Sequence, residues 1–299
     1  MKFSSGKDLL NLAQKYEMPF YQIMLQHESE KNDIREAAIY KRLQKNLDIM
    51  KQSVTEPLAD QKGRYRGKII GGQAAKMWEY AQKSPLCGSR MSKAVAYALA
   101  ASEVNASMGR IVAAPTAGAC GVLPAALFTL AETQSFSDEQ LLNGLLTAGA
   151  IGVVFAKNAT ISGAVGGCQA EVGVASSMAA AAAVELMGGG PRKILDAAAI
   201  AISNLLGLVC DPVAGLVETP CNTRNAIGVS NALLSADLVL SGMQAVVPFD
   251  QMVEAMYNVG RNMPPAVKET SLGGMAATPA ALAIEKRINK ENSCPLING

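Results

Sequence analysis

Residues 170–187 read AEVGVASSMAAAAAVELM, so small side chains occupy every face of the helix that this stretch favours. Such a helix has no polar side to turn toward water and must be surrounded by other helices. Alanine, glycine and serine then let the neighbouring backbones approach closely. The same character recurs from about residue 72 onward. Hydrophobic residues make up 49% of the 299-residue chain but aromatics only 5%. The interior is therefore alanine, valine, leucine and methionine, which suits close-packed helices better than a β-sandwich. The expected fold class is mainly α: a single large all-α catalytic domain with buried Ala/Gly-rich helices and an N-terminal amphipathic helical layer.

The layer is expected from residues 1–62, where charged and apolar residues alternate at helical spacing with one break at Pro19. The polar segment TEPLADQKGRYRGK (55–68) marks the boundary with a second region, 63–299, that ends in a mobile C-terminal tail. In that region helices are expected at 72–82, 91–108, 121–134, 138–156, 170–187, 192–208, 225–243 and 248–259. The best extended candidate is GRIVAAP (109–115). The apolar run 144–156 falls short of the roughly 18–20 residues that span a bilayer, so no membrane partner is expected. The N-terminus has no apolar leader pattern, which points to a cytoplasmic address and reduced cysteines. Net charge is +2, and lysine and arginine are dispersed without interleaved aromatics, so no nucleic-acid partner is expected.

Three loops combine reactive residues with glycine. In MGRIVAAPTAGACGVLPAAL (108–127), Pro115, Gly118 and Gly121 turn the chain into a helix start, where free N–H groups suit a carboxylate or phosphate and Thr116 adds a hydroxyl. An ordinary capped helix start reads the same way, and no phosphate-loop or dinucleotide fingerprint is present. In NATISGAVGGCQAEVG (158–173), Asn158, Thr160, Ser162 and three glycines lead to Cys168, just before the helix that contains Glu171. A helix N-terminus would stabilise that thiolate for metal ligation or nucleophilic work; the alternative is an inert packed cysteine. In LGLVCDPVAGLVETPCNTRN (206–225), Cys210 and Cys221 lie in backbone that Pro212, Gly215 and Pro220 hold out of regular structure. Their spacing fits neither a zinc knuckle nor a ferredoxin run. Three loop thiols suggest a [4Fe–4S] cluster with one iron left open as a Lewis acid, because closed sites take four ligands. Of the other cysteines, Cys87 sits in a turn, Cys120 suits packing, and Cys294 reads as an incidental thiol in the tail.

These loops and the late MPPAVKETSLGGMAATP closely resemble the iron–sulfur-dependent L-serine dehydratases (L-serine ammonia-lyases), specifically the α subunit of the two-subunit bacterial type. The likeness runs from about residue 65 to about 280. It implies a [4Fe–4S] cluster on Cys168, Cys210 and Cys221, with Cys294 as a tentative further ligand. The implied reaction is α,β-elimination of water from L-serine to aminoacrylate, then pyruvate and ammonia. The implied substrate-binding residues are Pro115, Thr116, Ala117, Gly118, Ala119, Ser162 and Gly163. Thr116, Ser162, Arg224 and Asn225 would be catalytic, the last two by orienting substrate or bonding cluster sulfur.

Two departures stand out. The family's Pro-Thr-Asn-Gly is here Pro115-Thr116-Ala117-Gly118, and the histidine-bearing extra domain of single-chain relatives is absent. The only histidine, His27, reads as a solvated surface residue. Removing an α-proton needs a base, most often histidine, so a separate β subunit is expected to complete the site in a heterodimer. Alternative readings are an L-cysteine or L-threonine lyase on the same cluster, or a pyridoxal-phosphate β-eliminase using Lys157 with GGGPRK (188–193) as its phosphate loop.

Overall fold

The computed structural model describes residues 1–60 and 62–293, with side chains through Glu291; Cys294 and the rest of the expected tail lie outside the described residues. The described residues form thirteen α-helices and no strand. They are α1 (Gly6–Tyr16), α2 (Phe20–Asn32), α3 (Glu36–Thr55), α4 (Gln73–Ala81), α5 (Gly88–Ala106), α6 (Val122–Gln134), α7 (Asp138–Asn158), α8 (Gly163–Gly166), α9 (Val172–Leu186), α10 (Pro191–Ser203), α11 (Cys221–Leu240), α12 (Phe249–Asn262) and α13 (Pro279–Ser293).

The alanine run forms α9, and every residue from 172 to 184 is buried. Helices α6, α7, α10 and α11 pack around it, and α7 in turn carries α2 on its other side. Helix α7 is long and apolar enough to cross a membrane by length and composition, but it is a core helix, sandwiched between α9 and α2. Helix α11 lies against α5, α6 and α9. Gly228 makes that approach possible: a methyl group there would stand 2.8 Å from both Val122 and Val172, at the starts of α6 and α9. The first turns of α6 and α9 are therefore drawn onto the first half of α11, which is where the glycine loops converge.

Local sequence sets the helix ends. Ser5 with Asp8, and Ser137 with Gln140, form capping boxes at α1 and α7. Two caps come from distant side chains. Asp250 accepts Gly6 N at 2.6 Å and Lys7 N at 2.9 Å, tying α1 to α12. Glu103, only 2% exposed within α5, accepts Gln73 N and Ala74 N at the start of α4. Side chains of the N-terminal helices, among them Leu9, Phe20 and Ile23, share one buried cluster with α7 and α9.

Five expectations need correction. GRIVAAP (109–115) is an irregular connector, because no second strand lies beside it. Helix α10 stops at Ser203, short of 208, and α11 begins at Cys221, not 225, directly after Pro220. Helix α13 was not expected, although Thr278-Pro279 is an ordinary helix entry with proline in the first turn. His27 is not solvated: it is 6% exposed, stacks near Phe3, and its Nδ1 lies 2.8 Å from the Met1 carbonyl.

The packing of α9 yields a stability prediction. Ala180 is fully buried. Ala180→Leu adds volume between helices with no room to give, so it should lower unfolding free energy by about 1–3 kcal/mol or more in urea titration.

Candidate active site

Cys168 lies in a single 3-10 turn (Cys168–Ala170) that precedes α9. The next residue, Gln169, is fully buried and clamps two loops together. Its N–H donates to the Leu208 carbonyl, its Oε1 accepts Gly207 N, and its Nε2 donates to the Met256 carbonyl. Cys210, two residues beyond Leu208, is held by a short parallel bridge to the late loop: its N–H donates to the Val267 carbonyl at 2.9 Å and its carbonyl accepts Glu269 N at 2.7 Å. Cys221 is the first residue of α11, not part of an irregular loop as its prolines suggested. The turn before it is fixed by Glu218, whose carboxylate accepts Lys68 N, Ile69 N and Ile70 N at 2.7–3.0 Å.

The fold thus brings Cys168, Cys210 and Cys221 into one neighbourhood, in which Cys168 acts on both Cys210 and Cys221. Burial is the main reason all three thiols are held protonated. It pushes Cys168 up to about 11, against the pull of Arg224. It pushes Cys221 up to about 12, with Cys168 and Glu171 adding repulsion. Cys210 is pushed up further, by burial and then by Glu171 and Cys168. The expected helix-dipole stabilisation of Cys168 is overridden, since α9 begins only at Val172. Cys120 is 1% exposed, bonds the Ala101 carbonyl and packs in the core, while Cys87 is exposed at the start of α5.

Two side chains of α11 organise the triad. Arg224 donates to the Val209 carbonyl at 2.7 Å and to Asp211 at 2.6 Å, and its positive charge pulls on the Cys168 thiol. Asn225, 1% exposed, accepts Gly121 N and donates to the carbonyls of Gly118 and Cys221. Its polar atoms are all engaged with backbone, so it positions the first loop and does not face a ligand. Within that loop the N–H groups of Thr116, Ala117 and Gly118 have no partner among the described residues, nor does the Ser162 hydroxyl in the neighbouring turn.

The residue that sequence reading passed over is Glu171. Thr116 Oγ1 donates to its Oε1 at 2.7 Å, and the Cys210 thiol lies 3.8 Å from its Oε2. A methyl group on Gly163 would stand 2.5 Å from Oε2, and one on Gly118 3.2 Å from Oε1. The carboxylate therefore sits between the two glycine turns and against a thiol. Burial raises its pKa, with the Thr116 bond opposing. The only available signal in the sequence was its place three residues after Cys168.

No three histidine, cysteine, aspartate or glutamate side chains among the described residues converge tightly enough for a single metal ion. The chemistry of the donor set fits a cluster. Three neighbouring cysteines would repel one another as thiolates, and a cationic iron core would reverse that cost. Lys157, by contrast, donates to the Phe3 carbonyl and lies over the Phe3 ring, while residues 188–190 line a separate cavity with Glu17 and Glu185. The two parts of a pyridoxal-phosphate site do not meet.

The family described as serine dehydratase alpha chain matches residues 15–276. The chain is 44% identical to the "Probable L-serine dehydratase, alpha chain" of Bacillus subtilis (strain 168), covering 96% of this chain and 95% of that one. It is 45% identical to the "L-serine dehydratase, alpha chain" of Peptoniphilus asaccharolyticus, covering 96% and 99%. It is 37% identical to an "L-serine dehydratase" of Mycobacterium tuberculosis (strain CDC 1551 / Oshkosh), covering 95% of this chain but 63% of that longer protein.

Thiol burial gives a direct test. The thiolate is the form that alkylates, and below its pKa its fraction grows about tenfold per pH unit. In metal-free protein, iodoacetamide should label Cys87 first at pH 8. Labelling of Cys168 and Cys221 should rise through pH 10, as followed by peptide mass spectrometry.

Proposed function

The chain belongs to the serine dehydratase alpha chain family, and from that premise we propose that it is the α subunit of an L-serine ammonia-lyase that eliminates water from L-serine through a [4Fe–4S] cluster. The observation that carries this reading is the convergence of Cys168 and Cys210, from two loops, and Cys221, from the start of α11, into one neighbourhood. When bound, the cluster supplies a Lewis-acidic iron that favours departure of the substrate hydroxyl. No fourth thiol among the described residues joins the three, since Cys120 and Cys87 are placed elsewhere.

The chain's own residues bind and orient. The free N–H groups of Thr116, Ala117 and Gly118 suit the substrate carboxylate, and Ser162 offers a free hydroxyl beside them. Arg224 is committed to Asp211 and the Val209 carbonyl, so it steadies the loop that carries Cys210. Loss of the α-proton and the β-hydroxyl gives water and 2-aminoacrylate, which hydrolyses to pyruvate and ammonia. His27 is buried against Phe3 and Met1, away from the thiol loops, and supplies no base there. A β subunit that brings the base completes the proposal, in a reducing cytoplasm that spares the thiols. L-Threonine and L-cysteine remain substrates to compare, because one methyl group shifts binding by only about 1–3 kcal/mol.

The test is pyruvate release from L-serine by anaerobically reconstituted protein. Activity is expected with the β partner, little without it, and none in Cys168→Ser, Cys210→Ser or Cys221→Ser. Full activity of a serine variant would contradict the cluster assignment.

A further inference from the structure

Glu171 is a half-buried carboxylate with no ion-pair partner among the described residues. Its polar contacts are the neutral Thr116 hydroxyl and the Cys210 thiol. No lysine or arginine nitrogen among the described residues lies within 4.0 Å of it. The nearest guanidinium, Arg224, is paired with Asp211. Glu269 adds a second negative charge to the same neighbourhood. Buried charges in folded proteins are paired, because an unpaired one carries a large desolvation cost. When ionised, Glu171 has no paired cation among the described residues and favours one from outside the chain.

The position of the carboxylate says what kind of partner fits. Its two oxygens face Gly118 and Gly163, one in each of the turns that carry unpaired donors. An anion held by the N–H groups of residues 116–118 would leave a cation on the same small molecule next to Glu171. A zwitterion has that layout. We propose that Glu171 binds the α-ammonium of the amino-acid substrate, setting its orientation between the glycine turns and the thiol triad. This assignment rests on the dehydratase reading for the identity of the ligand. It accounts for a feature that reading leaves unexplained: an acid placed among three acidic ligand groups.

The experiment compares two ligands that differ only in the ammonium group, L-serine and 3-hydroxypropanoate, on anaerobic holoenzyme with its β partner. Glu171→Gln keeps the shape and an acceptor for Thr116 but removes the charge. The KM for L-serine should rise about 30-fold or more, the loss expected when one member of a buried charge pair is removed. The inhibition constant of 3-hydroxypropanoate should stay within about threefold, and iron and sulfide per chain should not change. Equal weakening of both ligands, or an unchanged serine KM, overturns the proposal. If wild-type holoenzyme releases no pyruvate, the dehydratase reading fails, yet calorimetric titration of the same two ligands still decides whether Glu171 recognises the ammonium.

Discussion

A single guanidinium ties the site together. Arg224, on the first turn of α11, bonds Asp211 and the Val209 carbonyl, and its charge pulls on the Cys168 thiol. The helix that starts with Cys221 is thereby fastened to the loop that carries Cys210. Asp211 in turn accepts Met275 N, so the late loop is drawn into the same network. Removing one member of such a buried pair leaves an uncompensated charge and typically costs about 3–5 kcal/mol. Arg224 therefore fixes the mutual placement of the thiols before any metal arrives, and it opposes the repulsion that their thiolates would feel.

The helices around this network are built for close approach. Small residues along α9 and Gly228 in α11 let three helix starts meet at one point, while Gln169 and Glu218 fasten loops that have no regular structure of their own. Polar groups buried this way are each satisfied by backbone partners, which makes the loops rigid without a sheet. The resulting site is acidic and lacks histidine. That character suits a cationic core and a zwitterionic ligand.

Much of this was legible in the chain itself. The alanine run required a buried helix, and glycine and proline around Cys168 and Cys210 marked them as loop residues, although the same signs placed Cys221 in a loop when it opens α11. What stayed hidden depends on contacts between distant positions. Glu171 gains its meaning from Thr116 and Cys210, 55 and 39 residues away. Gln169 and Glu218 look like ordinary polar residues until their backbone partners are known. His27 was misread because a lone histidine among charged residues gives no sign of the Phe3 and Met1 contacts that bury it. The extended pattern at 109–115 failed because a strand needs a neighbour that local pattern does not reveal.

The central claim is that this polypeptide grips an iron–sulfur cube at three corners and leaves the fourth for an amino acid. Mössbauer spectroscopy of iron-57-labelled, air-protected holoenzyme examines it most directly. The account predicts one iron whose signal differs from the other three and moves when L-serine is added. Iron-free protein, or four equivalent irons that ignore L-serine, would contradict it.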